Sequence, residues 1–177
     1  MSEGELSRMV RLRPLPAQPV MIEASETERA ALAKRFGLPR IDRLTASLAL
    51  ADDGKAVCAK GRLKADVTQL CAVSGEEFAV RIDEPLTLRF VEQHDLETHQ
   101  GSAEIEIELG GDECDEIGFS GEAFDLGEAV AQSLGLAIDP YATGPNADAA
   151  RKAAGIIGDD MPSGPLAEAL KALKIKE

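Results

Sequence analysis

Lys60, Arg62 and Lys64 stand at alternate positions, with Gly61 and Leu63 between them. Strand side chains alternate with period two, so a strand here carries all three cations on one face. A row of this kind suits phosphate oxygens. Arg11 and Arg13 repeat the pattern in residues 9–15 and are expected on the same sheet. Arg11, Arg13, Lys60, Arg62 and Lys64 together form a candidate RNA-binding surface. No aromatic residue interleaves with the stripe, so it offers no stacking platform for unpaired bases. Contact would be to backbone phosphates and would weaken with salt. Read as structure alone, the same stripe is a solvated face balanced by nearby acids.

The opposite charge is concentrated elsewhere. Between Arg89 and Arg151 there is no lysine or arginine, while residues 90–150 hold fifteen Asp and Glu. The rest of the chain is near balance, so the formal charge of −13 belongs to this interval. It should repel nucleic acid and membrane phosphates and attract a basic partner. Glu104, Glu106 and Glu108 are expected on one face of an alternating strand. Asp112, Glu113, Asp115 and Glu116 are expected in a turn beside it. These acids form a candidate surface for a basic protein.

Metal, nucleophilic and cofactor chemistry find little support. His94 and His99 lie among Asp95, Glu97 and the later acids, but neither a closed zinc ligand set nor a calcium loop register is present. The region reads as a solvated acidic loop without a resident metal. Cys71 sits in a turn with no local signature for a catalytic base, and no nucleophile elbow, P-loop or dinucleotide fingerprint occurs. The chain is therefore expected to be non-enzymatic and to need no cofactor. The three cysteines Cys58, Cys71 and Cys114 have no framework spacing and fit a reducing cytoplasm. If Cys58 and Cys71 lie on one strand, they stand about 40 Å apart, whereas a disulfide needs Cα atoms within about 7 Å. Both are expected as free thiols.

The elements that must position these residues follow from periodicity and breakers. Residues 9–15 read as an edge strand ended by Pro14, Pro16 and Pro19. Ser25 with Glu28 has capping-box spacing and opens a helix through Phe36, stopped by Gly37. Residues 41–50 and 55–70 read as an antiparallel hairpin about the Asp52-Asp53-Gly54-Lys55 turn, with Leu44, Ala46, Leu48 and Leu50 on one face of the first strand and Leu63, Ala65 and Val67 on one face of the return. Gly61 reads as a bulge. Short strands follow near residues 78–82, 85–91 and 104–109. Asp125 with Glu128 opens a second helix, whose apolar face is Leu126, Val130, Leu134 and Ile138. Asp139-Pro140 ends it.

The order gives an α+β fold: a curled antiparallel sheet covered by one or two helices. Residues 1–141 are expected as the domain. Residues 142–164, rich in Gly, Ala, Pro and Asp, read as a flexible linker. Residues 165–175 read as a short helix whose Leu166, Leu170 and Leu173 dock either on the domain or on a partner. No apolar run reaches the roughly 20 residues of a membrane span, and no signal-peptide core is present.

Two segments and an ending carry a resemblance. Val67-Thr-Gln-Leu-Cys-Ala-Val-Ser-Gly-Glu-Glu-Phe78 precedes a strand pair, and Asp125-Leu-Gly-Glu-Ala-Val-Ala-Gln-Ser-Leu-Gly-Leu-Ala-Ile-Asp-Pro140 follows. The chain closes with Gly164-Pro-Leu-Ala-Glu-Ala-Leu-Lys-Ala-Leu-Lys174. This order resembles the YceD-like family, associated with accumulation of large-subunit ribosomal RNA, and the N-terminal pattern looks like its alphaproteobacterial branch. The resemblance implies a cytoplasmic factor in ribosome production, with 23S rRNA precursor, a basic ribosomal protein, or both as partners. An RNA-free escort and a metal-dependent processing enzyme are the alternatives. Members commonly carry Cys-x-x-Cys in the first segment; this chain keeps Cys71 but has Ser74 at the second position and no cysteine after Cys114, so a zinc-held turn of that kind would lack ligands here.

Overall fold

A computed structural model describes residues 4–54, 56–93 and 115–156 and has the expected α+β architecture. The chain divides into two compact units. The first is built from residues up to Gln69 together with Ala79–Asp139; the second joins Leu70–Phe78 to the chain from Pro140 onward.

The first unit is organised by a five-stranded sheet. Its spatial order is β2 (Val20–Glu23), β3 (Arg40–Asp52), β4 (Ala56–Leu70), β5 (Glu77–Glu92) and β6 (Asp115–Phe119). The β3–β4 hairpin turns at Gly54, whose φ of 78° is available to glycine at little cost. The Gly54 N–H donates to Asp52 Oδ1 at 2.7 Å. Leu44, Ala46 and Leu48 on β3 are buried, as are Ala59, Leu63, Ala65 and Val67 on β4. The intervening residues are left on the opposite face.

Three details differ from the sequence expectation. The segments near 78–82 and 85–91 are one strand, β5, with Pro85 exposed within it. Strand β6 pairs parallel to β5, from Leu88↔Asp115 to Glu92↔Phe119, so the sheet is mixed. The register irregularity falls between Ile41 and Arg43, while β4 pairs continuously through Gly61. Gly61 has a different role: a Cβ there would lie 1.8 Å from the Ser47 carbonyl oxygen. The two backbones approach too closely for any side chain.

A two-stranded sheet pairs β1 (Met9–Arg11) with β7 (Ala123–Asp125). Helix α1 (Glu26–Phe36) begins with a complete capping box: Ser25 Oγ accepts from the Glu28 amide and Glu28 accepts from the Ser25 amide. Gly37 ends it at φ 67°. Helix α2 (Leu126–Ala137) is capped by Asp125, whose carboxylate accepts from the Gly127 and Glu128 amides. Glu128 does not close the reciprocal box; it pairs with Arg35 at 2.8 Å. Leu126, Val130 and Leu134 are fully buried, as the fourfold spacing predicts. Stacked Phe90 and Phe124 rings, 4.2 Å between centroids, complete the core.

The N-terminal residues are tied into this unit. Ser7 Oγ and the Arg8 amide donate to Asp125 at 2.6 and 2.7 Å. The Arg8 guanidinium pairs with Glu28 and, with further help from Ser25, holds that carboxyl down at about 2. Arg35 joins Glu5 to Glu128. A Cβ at Gly127 would meet the Leu6 carbonyl and the Arg8 amide at 2.7 Å, so glycine permits this close seat.

In the second unit, the Ala72 amide donates to the Ala142 carbonyl at 3.0 Å, and Asn146 Nδ2 donates to Glu76 at 2.8 Å. Gly144 lies against the Phe78 ring. Helix α3 (Ala147–Ala153) follows, with Ala147 buried. Linker was expected from residue 142; residues 142–156 instead belong to this unit. The alanine-rich composition that looked featureless favours a short helix once tertiary contacts hold its start. Residues 157–164 and the expected helix at 165–175 lie outside the described residues, as does the strand expected at 104–109.

Replacing Gly61 by Ala should destabilise the first unit by about 3 kcal/mol, near the upper end of overpacking costs. Urea unfolding would show this as a lowered midpoint with unchanged slope. A midpoint equal to the parent's would contradict the close approach.

Candidate nucleic-acid interface

Burial of the odd-numbered residues on β4 decides where its cations go. Lys60, Arg62 and Lys64 are exposed, opposite Ala49, Ser47 and Thr45 on β3. Arg43, also exposed, pairs across the ladder with Asp66. Arg81 and Asp83 from β5 join the same face, as their ion pairs with β4 show. Arg81 Nε lies 2.9 Å from Asp66 Oδ1. Asp83 takes two cations, with Arg62 Nη1 at 2.9 Å and Lys64 Nζ at 3.9 Å. Lys60 and Arg43 have no acidic partner among the described residues. These pairs are solvent-exposed, so they exchange readily for another anion.

Arg11 and Arg13 are not part of this face. Arg11 ends β1 in the two-stranded sheet, and Arg13 follows it. The proline-rich stretch breaks the ladder, and the edge of the larger sheet is taken by β2, which the sequence reading missed. Both arginines line a cavity of about 860 Å³ shared with Asp52, Glu92, Glu122 and Phe119. Its charges are mixed, and the one hydroxyl that lines it, Ser120 Oγ, donates to Gln93 Oε1 at 2.8 Å.

Of the acidic candidates, Glu104, Glu106, Glu108, Asp112 and Glu113 lie outside the described residues, as do Leu166, Leu170 and Leu173. Asp115 and Glu116 were expected in a turn and instead stand on β6. Backbone pairing with β5 outweighs the turn character of the preceding glycines there. Glu116 pairs with Arg89 at 2.9 Å, and Arg89 also reaches Asp53 at 3.6 Å. Asp125 and Glu128 act as helix cap and ion-pair partner.

Cys58 and Cys71 are free. Cys71 is buried in the second unit, where its Sγ accepts from the amides of Val73 and Ser74 at 3.4 and 3.3 Å. The Ser74 hydroxyl and these amides, with that of Gly144, pull the thiol down to about 6. The larger contributions, from Ser74, are local to the turn, while that of Gly144 comes from a distant segment. The arrangement does not fit a zinc site. Hydrogen-bond donors surround the sulfur, Ser74 supplies no thiolate, and no cluster of metal ligands occurs among the described residues.

The sign of the pH effect follows from that lowered value. The stabilisation is fully present above the ordinary thiol value of 9.0 and is lost as pH falls through about 6. In a variant with Cys58→Ser and Cys114→Ser, ultraviolet thiolate absorbance should titrate with a midpoint near 6. A midpoint in the ordinary thiol range would contradict the donor arrangement.

No curated protein and no solved structure matches the chain. Residues 59–173 match the family described as large ribosomal RNA subunit accumulation protein YceD. That span includes nearly all of β4 with its cation row, the Cys71 turn, β5 and α2. With well over half its length matched, the chain belongs to the YceD family, whose name links it to accumulation of large-subunit ribosomal RNA.

Proposed function

We propose that this chain acts in the cytoplasm as a non-catalytic binding factor, holding 23S rRNA precursor through the outer face of its five-stranded sheet. The family supplies the process. The observation that carries the contact is the exposed row of Lys60, Arg62 and Lys64, with Arg43 and Arg81 on the flanking strands. Among the described residues no helix is long and apolar enough to cross a membrane. Phosphate contact needs cations free to exchange their partners, and exposed ion pairs meet that need.

A second reading is an acidic escort for a basic ribosomal protein without RNA contact. It is favoured by the absence of any lysine or arginine from residues 90–150. The two readings separate by binding to large-subunit rRNA fragments across a salt series. Changing Lys60, Arg62 and Lys64 to Ala should weaken binding at least about tenfold at low salt and flatten the log–log salt slope by about 2. Unchanged affinity and slope would reject the RNA face and leave the escort. Precursor rRNA incubated with the protein and magnesium should stay intact; specific cleavage would contradict the non-catalytic role.

A further inference from the structure

We propose that the outer sheet face takes base-paired RNA by its phosphate backbone, with Asp83 competing intramolecularly for the same cations. The inference rests on the RNA-binding role proposed above and adds the class of RNA and an internal control on affinity.

Among the described residues of β3 and β4, the face has no ring for unpaired bases to stack on. Its positions on β3 are Arg43, Thr45, Ser47, Ala49 and Ala51, and on β4 Cys58, Lys60, Arg62, Lys64 and Asp66. The aromatic residues of the first unit point elsewhere. Phe90 and Phe124 are buried at 1% exposure, and Phe36 and Phe119 pack against the same core. Single-strand binders draw much of their affinity from base stacking, which this surface cannot provide. What it offers is a straight row of charge. Alternate strand residues are spaced by roughly 6.6 Å, so Lys60 to Lys64 extends about 13 Å. Such a row meets a regular line of phosphates better than a collapsed single strand. The short Ser47 side chain beside Arg62 adds a neutral donor for a phosphate oxygen or a 2′-hydroxyl.

Asp83 bridges Arg62 and Lys64, so a phosphate that uses either cation must displace it. Asp66 holds Arg81 in the same way. A polyanion wins that exchange, but at lower affinity than the cation row alone would give. Recognition of this kind reads shape and charge, not sequence.

The test uses the full chain with a fluorescent RNA duplex of about 16 base pairs, a length that presents successive grooves. Each separated strand serves as the comparison. Anisotropy should show the duplex bound about threefold or more tighter than either strand, and two unrelated duplex sequences bound equally. Asp83→Asn should raise duplex affinity about threefold, in line with release of exposed ion pairs. Asp66→Asn should act in the same direction. Thermal unfolding of each variant close to the parent's establishes that the fold is retained. Preference for single strands, or a folded Asp83→Asn protein without gain in affinity, overturns the inference while leaving RNA binding in place. Failure of every RNA to bind overturns the proposed function as well.

Discussion

Burial of Leu63, Ala65 and Val67 in the first unit fixes the orientation of the longest hairpin, and much of the molecule's chemistry follows. A one-residue slip of β4 would send these three to solvent and bring Lys60, Arg62 and Lys64 into the core. Desolvating unpaired cations there would cost far more than the aliphatic residues gain by exposure, so the register is strongly specified. Gly61 allows β3 and β4 to approach closely enough for that pairing to run continuously through Leu48. The cation row is thus a consequence of core packing. Its exposure needs no separate device.

The polyanion-binding role proposed for this face is compatible with an acidic protein. The chain carries −13 formal charge, yet Asp66 and Asp83 on this face are engaged with its cations, and Glu23 stands at the edge strand opposite Thr45. Long-range repulsion from the rest of the molecule falls off within a Debye length of about 8 Å at physiological salt. Local cations would therefore govern the proposed contact, while the net charge would limit indiscriminate binding. Elsewhere in the first unit, acids serve the fold: Asp125 caps α2, while Glu28 and Glu128 anchor Arg8 and Arg35.

Local signals made the best-defined elements readable. The capping box at Ser25, the Gly37 stop, the Gly54 turn and the Leu126–Val130–Leu134 face all appear where spacing places them, because each depends on near neighbours. The hairpin's inward and outward faces were readable for the same reason. Long-range pairing was not. Val20–Glu23 and Ala123–Asp125 are too short to show alternation and owe their strand character to partners far along the chain. Alternation alone groups Arg11 with Lys60, whereas pairing with β7 places Arg11 in another sheet. The Cys71 environment is set first by Ser74 in its own turn, and the added Gly144 contribution comes from a segment no spacing rule connects to it.

RNA contact on β4, and not through the acidic interval, is the proposal on which the functional reading turns. Ultraviolet crosslinking in cells, followed by mass-spectrometric mapping of nucleotide adducts on the protein, decides it. Large-subunit rRNA adducts are expected on the peptide spanning residues 56–70 and its strand neighbours. Recovery of a basic ribosomal protein with no nucleotide adduct on the sheet face would contradict it.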